Sequence, residues 1–145
     1  MGMSRSEAWA EFLPLWQSLI DESRTPGTVI LVEGSRDAKS LHRLGVRGLV
    51  VRLHRGQSMS RLASDLAERG RRIILLTDWD SEGGQLARRI RGHLEAGGTE
   101  IDLEYRRRLA RVLRGEVVHV EGLAGWARRT AEKEGASLDE WVASF

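Results

Sequence analysis

Trp9, Phe12, Leu13, Trp16, Leu19 and Ile20 recur at three- and four-residue spacing. That places them on one stripe of an amphipathic helix over residues 7–20. Ser6 fits its N-cap, and Pro14 inside the pattern predicts either a start at that point or a kink. The aromatic stripe reads as a face that packs into a core. After the Pro26-Gly27 turn signal the pattern changes period. Residues 28–32, 49–53 and 72–77 are short, nearly continuous apolar runs rich in Val, Ile and Leu, as in strands covered on both faces. Between them lie helical stretches. One is capped by Ser35 or Asp37 and stopped near Leu44 by Gly45; the others cover residues 58–69 and 82–94. Residues 101–103 form a short fourth strand. Beyond it the pattern predicts a helix over 105–113, an edge strand over 117–120, and helices over 123–133 and 138–142.

The β-α-β-α-β-α-β alternation with short loops predicts an α/β fold with a central four-stranded parallel sheet and helices on both faces. With 145 residues the chain is expected to form one domain, 1–145. Its parts would be a core over 28–103, an N-terminal helix over 1–25 and a C-terminal helical extension over 104–145. There is no cysteine, which excludes disulfide scaffolds, thiolate metal sites and cysteine nucleophiles. No apolar run approaches the ~20 residues of a membrane helix. No leader pattern opens the chain, so a cytoplasmic globular protein without membrane contact is expected.

Acidic residues gather at the carboxyl ends of two expected strands: Glu33 closes the first, and Asp78, Asp80 and Glu82 follow the third. Ligands of open parallel sheets bind at such ends, where strand order reverses. In a 2-1-3-4 order the two groups converge. Asp78 and Asp80, two apart in extended chain, point the same way. Clustered carboxylates repel unless protons or a cation intervene, and a hard divalent ion with oxygen ligands answers that repulsion. Helix capping by Asp80 or Ser81 is the competing reading of the Asp-x-Asp pair. Glu33 favours the metal, because a Glu-Gly step directly after the strand has no helix to cap at once. Gly34 suits a tight turn or close backbone approach to a ligand, and Gly83-Gly84 at a helix start can admit a phosphate. The phosphate loop G-x-x-x-x-G-K-[ST] is absent.

The segments VILVEGSRDAKSL and, some forty positions later, IILLTDWDSEGG resemble the Toprim family. That family is shared by type IA and type II topoisomerases, DnaG-type primases, OLD-family nucleases, recombination-repair proteins and a ribosomal-RNA-maturing ribonuclease. The resemblance covers residues 28–103. The VEG-x-x-D form with Asp37 is similar to the primase and maturation-ribonuclease branches, and Asp-x-Asp-x-Glu-Gly is similar to the topoisomerase version. The resemblance implies a Rossmann-like Toprim fold and a Mg²⁺ site (or Mn²⁺) for phosphodiester chemistry. Asp78 and Asp80 would hold the metal, Glu82 would assist, and Glu33 would be general acid/base or a further ligand. Trp79 fills a spacer that is small in relatives; stacking on a base and packing over the sheet edge are both open.

The basic side is lopsided: 21 of the 23 basic residues are arginine and the net charge is only +2. A nucleic-acid face would therefore rest on segregated charge. Arg36, Lys39 and Arg52, following the first two strands, are the expected substrate-phosphate contacts. Arg88 with Arg91, and Arg107 with Arg111 and Arg114, form helical rows that fit either phosphates or ion pairs with Glu95, Glu104 or Glu116. Of the four histidines only His54 is placed for catalysis. Tyr105, the single tyrosine, has no nucleophile context, which argues against topoisomerase-like cleavage and religation. The chain has no room for a primase template domain. Two function classes stand: a Mg²⁺-dependent nuclease acting on RNA or DNA, and a non-catalytic nucleic-acid-binding or adaptor module. Trp126, Trp141 and Phe145 are placed either to dock on the N-terminal helix or to form an oligomer contact through the terminal helices.

Overall fold

The structure, a computed structural model, describes residues 2–53 and 58–145; His54, the histidine singled out for catalysis, lies outside the described residues. Four parallel strands, β1 (Thr28–Val32), β2 (Leu49–Arg52), β3 (Arg72–Leu75) and β4 (Glu100–Asp102), form one sheet in the order β2-β1-β3-β4. In register, Ile30 pairs Val50 on one side and Ile74 on the other. Side-chain alternation then divides the interior. Ile30, Val32, Ile74 and Leu76 face one layer, whereas Val29, Leu31, Ile73 and Leu75 face the other.

The first layer holds α1 (Arg5–Ser23), α2 (Ser35–Arg43), α5 (Glu104–Val112) and α6 (Leu123–Lys133); the second holds α3 (Met59–Arg69) and α4 (Ser81–Ala96). This α/β architecture is the Rossmann-like one expected. A short helix, α7 (Leu138–Ala143), ends the chain. No helix among the described residues is long and apolar enough to cross a membrane.

The aromatic stripe packs inward. Phe12 stacks on Trp16 at 5.3 Å and meets Trp126 edge-on at 5.0 Å, and Trp9 lies 5.9 Å from Trp141. Trp141 and Phe145, 4.8 Å apart edge-on, extend the same cluster. The C-terminal aromatics thus dock on α1 within the chain.

Several local expectations change. The N-cap of α1 is Ser4, not Ser6: its hydroxyl accepts the Glu7 N–H while Glu7 accepts the Ser4 N–H, a reciprocal box that Ser6 cannot make. The helix runs through Pro14, which sits on the exposed side, so water can satisfy the carbonyl it leaves free. The N-cap of α2 is Gly34 itself, whose N–H is accepted by Asp37 at 3.0 Å; a helix does follow Glu33 at once. The expected edge strand over 117–120 is not a strand. Its residues form a loop leading into a 3-10 turn, Val120–Gly122, because its hydrogen bonds go to the β3 turn.

Candidate metal centre

The β3 chain stays extended past Leu75. Leu76 donates to the Leu31 carbonyl at 2.8 Å, carrying Thr77 and Asp78 beyond the sheet beside Glu33. The Asp78 N–H donates to Glu33 Oε2 at 2.6 Å, which joins the two acidic segments directly. Asp80 caps α4, its Oδ1 accepting the Gly83 N–H at 2.7 Å. Capping uses one oxygen and leaves the other for the cluster, so the two readings of the Asp-x-Asp pair are compatible. Gly83 is required for packing: a Cβ there would lie 1.8 Å from the Asp78 carbonyl oxygen. Its own carbonyl accepts from the buried Thr77 hydroxyl at 2.8 Å. Around Gly34 there is open space, and its extended backbone suits any residue.

The third member was not legible in the sequence. His119 Nδ1 lies 3.0 Å from Asp78 Oδ2 and 3.5 Å from Asp80 Oδ2, and the Val120 N–H donates to Asp78 Oδ1 at 2.8 Å. One potential ligand atom from each of Asp78, Asp80 and His119 falls within 4.8 Å of the others. His119 sits 41 residues from Asp78 in a loop with no ligand spacing, so no local pattern could reveal it. That loop is anchored at Trp79, whose backbone N–H donates to Val118 and whose indole Nε1–H donates to Val117 at 2.6 Å. Trp79 also packs against the larger core cluster, so packing accounts for this residue.

Charges at the site are mutually stressed. Burial holds the Glu33 carboxyl above its ordinary value, with Asp78, Asp37 and Asp80 adding to the rise against the Asp78 N–H. Burial likewise raises Asp37, helped by Asp78. The hydrogen bond to Asp78 raises His119. Arg106 reaches in from α5, its Nε donating to the Thr77 carbonyl at 3.1 Å and an Nη2 donating to that of Asp78 at 2.8 Å. Burial lowers its guanidinium from the ordinary value, against the pull of Asp80 and Glu33.

A cleft of about 350 Å³ opens between Glu33, Gly34, Arg36, Asp37, Asp78 and Glu121. Arg36 and Lys39 also border an adjoining hollow of about 220 Å³. Glu82 is exposed on the first turn of α4, outside the three-residue cluster. Arg52 is exposed at the end of β2 and lines neither hollow. The arginine rows are largely paired, with Arg91 to Glu95, Arg107 to Glu104 and Arg111 to Glu11. Arg72, at the start of β3, bonds Glu22, Glu100 and Asp102. Tyr105 is buried against Ser18 at 2.8 Å, and burial pushes its phenol up to about 12.

A glutamate on the first strand bonded across to an Asp-x-Asp turn on the third is the arrangement that the sequence comparison explains. The Toprim domain model matches residues 27–103. This chain belongs to the Toprim family. Similar proteins include the UPF0292 protein of Methanosarcina barkeri, 34% identical over 118 residues that cover 81% of this chain and 82% of that protein. The UPF0292 protein of Pyrococcus abyssi is 33% identical over 79% of this chain and 86% of its own length. Among solved structures, a protein from Aquifex aeolicus superposes with a TM-score of 0.64 at 27% identity, over 74% of this chain and 94% of that one. Family membership makes the chain a nucleic-acid-related Toprim protein. The matched segment ends at residue 103, so His119, Val120 and Arg106 come to the site from outside it.

Proposed function

We propose that this Toprim protein hydrolyses phosphodiester bonds of a nucleic-acid strand at a divalent-metal site. The observation that carries the reading is the 2.6 Å bond from the Asp78 N–H to Glu33. It fixes a raised-pKa carboxyl beside the Asp78, Asp80 and His119 cluster. The donor set fits a divalent ion: Asp78 Oδ2 and Asp80 Oδ2 retain lone pairs after their internal bonds. Carboxylates and water suit Mg²⁺ and Mn²⁺, and an imidazole ligand suits a transition-metal ion better than Mg²⁺. A bound ion supplies charge neutralisation for the phosphate and an activated water.

The chain's own groups do the rest. Arg36 and Lys39, exposed at the cleft rim, bind the flanking phosphates. Glu33 keeps one oxygen on the Asp78 N–H and holds a proton on the other for the leaving oxygen, which its raised pKa favours. Arg106 clamps the carbonyls before Asp78 and Trp79, so the aspartate enters substrate binding already placed.

The test is cleavage of labelled RNA and DNA with Mg²⁺ or Mn²⁺. Asp78→Ala with Asp80→Ala should abolish it. Glu33→Gln should lower the rate by about 10²–10⁴-fold while metal still raises the melting temperature. No cleavage above the double variant would end the nuclease reading. One observation favours a second: both oxygens of Asp78 are already engaged, by Val120 and His119, as in a closed, non-catalytic binding module. Nucleic-acid binding that persists in EDTA and in the aspartate variants, with no cleavage, is the outcome for that case.

A further inference from the structure

A second hollow, of about 300 Å³, lies away from the carboxylates, between the start of α1, the chain after α5 and the last turns of α6. Arg5, Arg114, Arg129 and Lys133 border it against the single carboxylate of Glu116. Of the four cations, Arg5 alone has an ion-pair partner among the described residues, Glu134 at 3.5 Å. Thr130, 4% exposed, lines the hollow as well. The floor includes Ala8 and the buried indole of Trp126. The N-terminal end of the 19-residue α1 opens there at Ser4 and Arg5, adding its positive dipole end. A concave site with excess positive charge takes an anion, and an arginine-rich one matches phosphate.

The neighbourhood identifies which phosphate. Glu116, on the hollow's wall, is three residues from His119 at the candidate metal centre, so their Cα atoms are within ~11 Å of each other. Between them lies Val118, 44% exposed. A separation of that size is short enough for one extended strand to touch both places. We propose that the Arg114, Arg129 and Lys133 hollow holds a backbone phosphate of the same strand whose reacting phosphate lies at Asp78. The inference rests on the nuclease reading for what happens at Asp78, but its binding claim stands apart from cleavage.

The experiment measures binding of a fluorescein-labelled single-stranded RNA and the DNA of the same sequence to the full chain, across a salt series in EDTA. The variant Arg129→Glu with Lys133→Glu should bind about tenfold or more weakly, with the salt slope reduced by about 1.4 for two lost contacts. Arg128→Glu, on the same helix but paired with Asp139, should bind as the wild type does. If the double variant fails to fold by circular dichroism, Arg114→Gln replaces it, with about half the change in slope. Unchanged affinity and slope would overturn the proposal. So would loss of binding to inorganic phosphate, read as a lost thermal shift, without any loss of oligonucleotide binding; the hollow would then serve a free phosphate compound. Cleavage by the wild type with an unaffected double variant rejects this inference alone. Binding through the hollow without cleavage by any variant rejects the nuclease reading alone.

Discussion

Two glycines at the site, Gly34 and Gly83, answer to different forces. Gly83 is locked against the Asp78 carbonyl, where a methyl group would sit at 1.8 Å. Gly83→Ala is therefore expected to cost about 1–3 kcal/mol by forced backbone displacement. It should also erase the metal-induced rise in melting temperature, since the displaced atoms belong to the aspartate turn. Gly34→Ala meets no atom within 4 Å and should leave the melting temperature unchanged. If the strand backbone passes over that point, only the KM for the oligonucleotide rises; a fall in stability would show that the open space is not open in solution. At this scale the sequence was partly readable. Glu33, Asp78 and Asp80 carried their position in strand-end grammar, because a strand must stop where charges begin. His119 did not, because its partners are brought to it by the tertiary path of the chain. The Ser4-x-x-Glu7 box outcompetes Ser6 for a reason visible in the letters: a glutamate three places on returns the bond.

Among the elements, α1 bears the heaviest packing. Phe12 is fully buried, between Trp16 and Trp126. Phe12→Ala should cost about 3–5 kcal/mol in urea unfolding, with the metal centre of the remaining folded protein intact. A loss below about 1 kcal/mol would mean that the aromatic cluster repacks around the void. The strands were legible because their side chains are apolar on both faces, which few other elements are. Residues 117–120 depart from the expected strand for a related reason. Val117, Val118 and Val120 have the β-branched character of a strand, but Asp78 and Trp79 take the hydrogen bonds a sheet neighbour would have used. Composition reports what a backbone favours and leaves open which partner claims it.

Across the whole molecule, the acidic end of the sheet stores electrostatic stress that pH should reveal. Glu33 and Asp37 both have folded pKa values above their ordinary ones. Their contribution to stability is therefore fully present below the unfolded value and is lost as pH rises through the folded one. Asp37→Asn keeps an acceptor for the Gly34 N–H but removes the charge. In EDTA it should melt at a higher temperature than wild type at about pH 8, with the advantage shrinking toward about pH 4. An advantage of equal size at both ends would assign the effect to packing. Chain alternation made the parallel sheet readable, and the order β2-β1-β3-β4, which brings Glu33 beside Asp78, matches the common arrangement assumed for it; the role of the last forty residues was not readable, since nothing local ties an amphipathic helix to a site it reaches only through a loop.

On the metal reading, the hold of the 117–120 loop on Asp78 ties ion binding to the docking of the C-terminal helices. An ion drawn onto Asp78 and His119 would then also restrain the loop that leads into α6. Chelation in such a protein would be felt at the far tail of the chain, as faster amide exchange in helices that never touch the ion.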